Sequence, residues 1–241
     1  MNQQPGDKAG NANEIVASIP VIAIDGPVGS GKGTISTGLA SRLGWHFLDS
    51  GALYRLVAIA AQDAGIDAQD HAGLTLIAQN LDFEFRREAD VTIPILAGED
   101  VSGRLRTESV SAMASLVASV KFVRAAMVGR QRGFIRPPGL VADGRDMGTV
   151  IFPDAILKVF LTASVRVRAR RRYKQLKEKG ESVNLSRLFR EIEARDERDT
   201  KREIAPLRPA EDAIIIDSTE FSINEVLDKV YVLVKERHLT A

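Results

Sequence analysis

Residues 19–44, IPVIAIDGPVGSGKGTISTGLASRLG, join an apolar strand pattern to a helix pattern through nine residues that hold four glycines and one lysine. A glycine-rich turn in that position points successive backbone N–H groups at one spot, because glycine tolerates positive φ and has no side chain to obstruct them. The spacing Gly-x-x-x-x-Gly-Lys, from Gly26 to Lys32, is that of a phosphate loop in its required strand and helix context. Gly26, Pro27, Val28, Gly29, Ser30, Gly31, Lys32, Gly33 and Thr34 are therefore expected to cradle a nucleoside triphosphate, with Lys32 reaching the β and γ phosphates. Many such loops carry Ser or Thr straight after the lysine to hold magnesium. Here Gly33 takes that place and the hydroxyl comes one residue later, so Mg2+ is held by Thr34 or mainly by nucleotide phosphates and water.

Around this loop the chain alternates. Apolar runs at 20–25, 45–49, 139–143, 156–161 and 213–217 read as buried strands, and four of them end in Asp. Helix patterns lie at about 32–43, 52–64, 164–179 and 186–202, and a capping box, Ser222 to Glu225, opens a last helix. Such alternation implies a five-stranded parallel sheet flanked by helices, with ligands at the carboxyl ends of the strands. The middle breaks the pattern. Residues 66–138 carry a short helix near 72–80, two alternating runs that suggest a small antiparallel sheet, and two further helices. This much structure is an insertion that covers a ligand, and the proline in TIPIL suggests an edge strand there.

The chain divides into a tail at 1–18 that is expected to be flexible, core segments at 19–65, 139–163 and 206–241, the insertion, and a helical lid at 164–205. The net charge of +1 hides a contrast, because residues 166–202 alone carry +7. Arginines interleaved with acids and few aromatics make a poor nucleic-acid platform, so a phosphate-rich small ligand is the better reading. No cysteine is present, and the three histidines lie far apart. A disulfide framework and a thiolate metal site are excluded. No run is long and apolar enough to span a bilayer, and the N-terminus lacks signal-peptide character, so a cytoplasmic protein with no membrane partner is expected.

A switch GTPase needs Asn-Lys-x-Asp, which is missing, and the elements of a motor ATPase are absent. What remains is an array of arginines: Arg55, Arg145 and the basic segment. Phosphoryl transfer is chiefly positioning and charge neutralisation, so arginines converging on two phosphate groups suit a small-molecule kinase. A mobile basic lid would keep water from the γ phosphate.

The segments IDGPVGSGKGT, FLDSGALYR, GEDVSGRLRTESV, VADGRDMGTVIFPDA, EKGESVN, RDERDTKREIAPL and IDSTEFSINEV occur in this order. Together they resemble the bacterial cytidylate kinase family, and they cover nearly the whole chain from Val21. Gly-Lys-Gly-Thr is itself usual in nucleoside monophosphate kinases. The resemblance implies a P-loop kinase fold with an inserted NMP-binding region and a basic lid. It implies transfer of a phosphate from ATP, with Mg2+, to CMP or dCMP. Asp146 and Ser115 would meet the cytosine amino group and Arg124 the ring acceptors. Arg195 and Asp199 would lie at the sugar, and Arg55, Arg145 and Arg202 on the acceptor phosphate, with Ser50 assisting. Lys32, Arg145, Arg202 and Arg171 would act on the transferring phosphate, with Arg168 and Arg172 as further candidates in the lid. A monomer without nucleic-acid partners is expected.

Without the resemblance each side chain has a plainer reading. Ser115 sits in an Ala-rich helix, where serine packs as a small residue. Arg145 and Asp146 suit a loop salt bridge, and Arg195, Asp199 and Arg202 suit a solvated ion-pair ladder. Asp25 and Asp49 hold a magnesium water or orient backbone turns, the second being favoured. A UMP kinase and a binding protein without turnover remain as alternatives.

Overall fold

The structure is a computed structural model that describes residues 19–88, 91–178 and 180–239. The expected flexible tail, residues 1–18, lies outside them. The chain opens with β1 (Val21–Asp25), α1 (Lys32–Leu43), β2 (His46–Asp49) and α2 (Ser50–Asp63). The inserted stretch follows with α3 (His71–Gln79), β3 (Phe83–Glu88), β4 (Val91–Leu96), β5 (Glu99–Asp100), α4 (Ser102–Leu105), α5 (Glu108–Val117) and α6 (Lys121–Arg132). The chain then returns with β6 (Leu140–Gly144), a π-turn (Met147–Ile151) and β7 (Leu157–Thr162), and ends with α7 (Val165–Glu178), α8 (Leu185–Thr200), β8 (Ile214–Asp217) and α9 (Ile223–Glu236).

The main sheet has five strands in the order β2-β6-β1-β7-β8, and every pairing is parallel. All five residues of β1 are buried, as a central parallel strand covered on both faces requires. Its side chains alternate between two cores. Ile22 and Ile24 pack with Ile35 and Leu39 of α1 and Val230 of α9, while Val21 and Ala23 face Leu53 and Leu56 of α2 and Met127 of α6. Each packed helix is fixed at an end. Gly44, at φ 65°, closes α1 by donating to Ala40 and Ser41, and Ser222 with Glu225 forms the expected capping box on α9.

The small sheet runs β3-β4-β5 and is antiparallel. Pro94 corrects the expectation of an edge strand, because it sits in β4, the middle strand. The reason is directional. Val101 donates to the Pro94 carbonyl, so the proline nitrogen also faces the β5 side, and β5 has only two residues. No ladder bond is lost there. No single helix among the described residues is long and apolar enough to cross a membrane.

Candidate active site

The loop between β1 and α1 takes the shape its glycines allow. Gly29 and Gly31 have φ of 77° and 92°, and Gly26 has φ 153°. A β-carbon on Gly26 would stand 2.0 Å from the Leu161 carbonyl oxygen, so no side chain fits. Gly31 is the N-cap of α1 and offers no side-chain bond, which leaves the first N–H groups of the helix open to an anion. Ser30 is buried with an unpartnered hydroxyl in the same loop.

Lys32 folds back along this loop. Its Nζ donates to the Pro27 carbonyl at 3.3 Å and stands 3.9 Å from Asp143 Oδ1, an ion-pair distance without a hydrogen bond. Burial lowers Lys32 to about 8, and nearby Arg145 pushes the same way. Burial raises Asp143 to about 6 against the pull of Lys32. Asp143, at the end of β6, was missed in the sequence, where it reads only as the last residue of a strand. A β-carbon at Gly33 would lie 3.3 Å from its Oδ2, so a carboxylate borders the place where many phosphate loops carry their hydroxyl. Thr34 is exposed on the first turn of α1. Among the described residues no group of three or more His, Asp and Glu is arranged to hold a metal ion.

A second set of groups meets between the insertion and β6. Arg124, on α6, donates to Asp146, just past β6, and to the Ala118 carbonyl at 3.1 Å. Arg124 is 5% exposed and Asp146 3%. Ser115 of α5 is equally buried, and its hydroxyl has no partner. A cleft of about 400 Å³ lies between α5 and α8, lined by Ser115, Leu116, Ser119, Lys201 and Arg202 among others. Tyr54 was also missed. Its ring centroid lies 5.6 Å from the Arg124 guanidinium carbon, and burial pushes its phenol up to about 12.

Between these two regions the cations collect. Arg145 Nε donates to Asp199 Oδ2 at 3.0 Å, and Arg202 donates to Asp199 Oδ1. Burial would raise Asp199, yet the combined pull of Arg145, Arg202 and Arg195 holds its carboxyl below the ordinary range. Burial, and then Arg145, lowers Arg195 to about 9. Nε of Arg195 and Nε of Arg202 are buried without partners. Arg55 stands 3.7 Å from Asp49, and Ser50 lies under Gly144, where a β-carbon would come within 2.6 Å of its hydroxyl. The helix face carrying Arg195 and Asp199 therefore points inward. The solvated ladder exists on the other face, where Lys201 meets Glu197 at 2.6 Å.

The lid arginines divide by role. Arg168 is 3% exposed and ties three segments together, donating to Ala163 O at 2.8 Å, Val28 O at 3.0 Å and Asp196 at 2.5 Å. Arg171 reaches the loop, with Nη1 bonded to Ser218 Oγ at 3.0 Å and to Ser30 O at 3.3 Å. Arg172 bonds Glu108, which joins α7 to α5 of the insertion. Asp25 and Asp49 orient backbone: Asp25 accepts from Met147 and Gly148, and Asp49 caps α2 through Ala52 at 3.0 Å.

The residues brought together are thus a phosphate loop, three arginines around one buried carboxylate, and a buried Arg124–Asp146 pair. The family model described as cytidylate kinase matches residues 22–236. The chain belongs to the cytidylate kinase family. A cytidylate kinase of Stutzerimonas stutzeri (strain A1501) is 56% identical over 227 residues, covering 93% of this chain and 99% of the relative. One from Pseudomonas entomophila (strain L48) is 59% identical over 213 residues, covering 88% and 93%. One from Methylococcus capsulatus (strain ATCC 33009 / NCIMB 11132 / Bath) is 56% identical over 210 residues, covering 87% and 94%. Membership of the cytidylate kinase family makes the protein a nucleotide-binding phosphotransferase.

Proposed function

We propose that the protein transfers the γ phosphate of ATP to CMP or dCMP, in the presence of Mg2+, giving ADP and CDP or dCDP. The observation that carries this reading is the buried Arg124–Asp146 pair, a donor and an acceptor held side by side. Cytosine presents an amino donor and two acceptors on its pairing edge, so it needs an acceptor and a donor side by side. Asp146 and Ser115 would take the amino group and Arg124 the ring acceptors. Uracil would set its O4 against Asp146 and leave both unpaired.

Arg195 and Asp199 would meet the sugar. Arg55, Arg145 and Arg202, with Ser50 beside them, would hold the acceptor phosphate, and the loop from Gly26 to Thr34 would hold ATP. Transfer breaks the bond between the γ phosphorus and the oxygen it shares with the β phosphate, and makes one to an acceptor phosphate oxygen. No protein nucleophile is required, so the work of Lys32, Arg145, Arg202 and Arg171 is to align two anions and offset their charge. The buried, unpartnered Oδ1 of Asp143 and the exposed hydroxyl of Thr34 are oxygen donors that suit an oxygen-binding ion, and these residues would hold magnesium directly or through water. When bound, magnesium neutralises charge on the transferring phosphate. The Arg172–Glu108 bridge joins α7 to α5, and with both nucleotides bound this contact would help keep bulk water from the donor. Steady-state rates with CMP, dCMP, UMP, AMP and GMP test the proposal: preference for the two cytosine nucleotides supports it, and preference for any other acceptor overturns it.

A further inference from the structure

Asp25 is the last residue of β1, and the next residue opens the phosphate loop. In the sheet register it lies beside Gly144 of β6, the residue before Arg145 and Asp146. Its side chain reaches past them. Oδ1 accepts the N–H of Met147 and Oδ2 that of Gly148, both at 2.8 Å, and the carboxylate is 5% exposed.

These two donors are the ones a short helical turn cannot satisfy itself. The internal bonds of the π-turn start later, with Val150 and Ile151 donating to the Asp146 carbonyl at 2.9 and 3.1 Å. A carboxylate from a neighbouring strand therefore caps the turn that begins where the acceptor-reading residues end. The turn has little other freedom. A β-carbon on Gly148 would press the Lys158 side chain at 3.1 Å, and one on Gly144 would press Met147 at 2.8 Å. Each Asp25 oxygen accepts one backbone N–H, which fixes the orientation of the carboxylate.

We infer that Asp25 is a positioning residue, which locks the turn directly after Arg145 and Asp146 to the strand that leads into the phosphate loop. Donor and acceptor sites then keep one spacing, because a single side chain at the root of one site holds the backbone of the other. The inference rests on the acceptor roles proposed above for Arg145 and Asp146.

Burial pushes the Asp25 carboxyl up to about 7, and the two N–H bonds pull it back toward ionisation. An uncharged, isosteric Asn turns one of the two bonds into a donor facing a donor. The test is Asp25→Asn, with ATP affinity measured without acceptor and KM and kcat measured with CMP and UMP. The expected result is a rise in the KM for CMP on the order of ten-fold, the size of one lost bond to a charged group. A reduced preference for CMP over UMP accompanies it, while the Kd for ATP stays within about two-fold. A merely structural role would lower the folded fraction and the apparent kcat and leave KM unmoved, and that result would overturn the inference.

If the variant does not fold, NMR of the wild-type protein decides. The Met147 and Gly148 amide protons should titrate together, with one midpoint, as the shared carboxylate gains its proton. Two different midpoints, or fast solvent exchange of either amide in the native state, would overturn the inference. Should wild-type protein fail to phosphorylate CMP, the proposed function falls, while the amide measurement still judges the Asp25 link.

Discussion

The Arg124 guanidinium and the Asp146 carboxylate are bonded to each other, with side chains only 6% and 4% exposed. Each neutralises the other, and burial, opposed first by Arg124, still raises Asp146 above its ordinary value. Removing one partner leaves an uncompensated buried charge, which costs far more than the pair itself contributes. Asp146→Ala should therefore lower unfolding free energy by roughly 3 kcal/mol in urea titrations. It should also cut kcat/KM for CMP at least about 100-fold and flatten the preference over UMP. A variant that kept full preference would remove Asp146 from base reading.

Lys32 links pH to donor binding. Burial lowers it to about 8 from the usual 10.5, so the ammonium is charged in neutral solution and discharges as pH passes 8. Calorimetric titration with ATP should show affinity falling above pH 8, toward about ten-fold per pH unit. The sign for stability is opposite. Between about 8 and 10.5 the unfolded chain binds the extra proton, so this lysine's contribution to stability grows as pH rises through that window. Lys32→Ala should abolish both trends, and an unchanged pH profile of ATP affinity in that variant would refute the assignment.

Two glycines make a contrast. At Gly26 a β-carbon collides with the Leu161 carbonyl at 2.0 Å, and backbone cannot move aside cheaply. Gly129 lies inside α6, exposed, with no atom within 4 Å of its would-be β-carbon. Gly26→Ala should thus fold poorly and lose ATP binding, whereas Gly129→Ala should raise stability by about 0.5–1 kcal/mol. Thermal unfolding with and without ATP checks both.

Asp199 holds Arg145 and Arg202 at one carboxylate. Asp199→Asn removes the carboxylate charge from both pairs and leaves the two arginines facing each other across a neutral amide. The KM for CMP should rise by about ten-fold or more, with the KM for ATP moving little. Equal shifts in both constants would contradict a role confined to the acceptor.

The phosphate loop was legible because its constraint is local: positive φ at Gly29 and Gly31 is written in the residues themselves. The five parallel strands were legible for a similar reason, since burial on both faces leaves continuous apolar runs. Pro94 misled because a proline's cost depends on which side of the strand its nitrogen faces, and that follows from where β5 stops. Tyr54 and Asp143 were passed over because their partners, Arg124 and Lys32, lie far away in sequence. Arg168 and Arg172 share a helix surface and a spacing that says nothing of fate. One is buried against Asp196 and the loop, while the other bridges to Glu108.

The most direct test is ADP production from Mg·ATP with CMP, dCMP, UMP, AMP and GMP in turn, run beside Lys32→Ala. The account predicts turnover with CMP and dCMP far above the other three, lost in the variant. Faster turnover of UMP, AMP or GMP would contradict the reading of Asp146, Ser115 and Arg124, and no turnover with any acceptor would contradict the account as a whole.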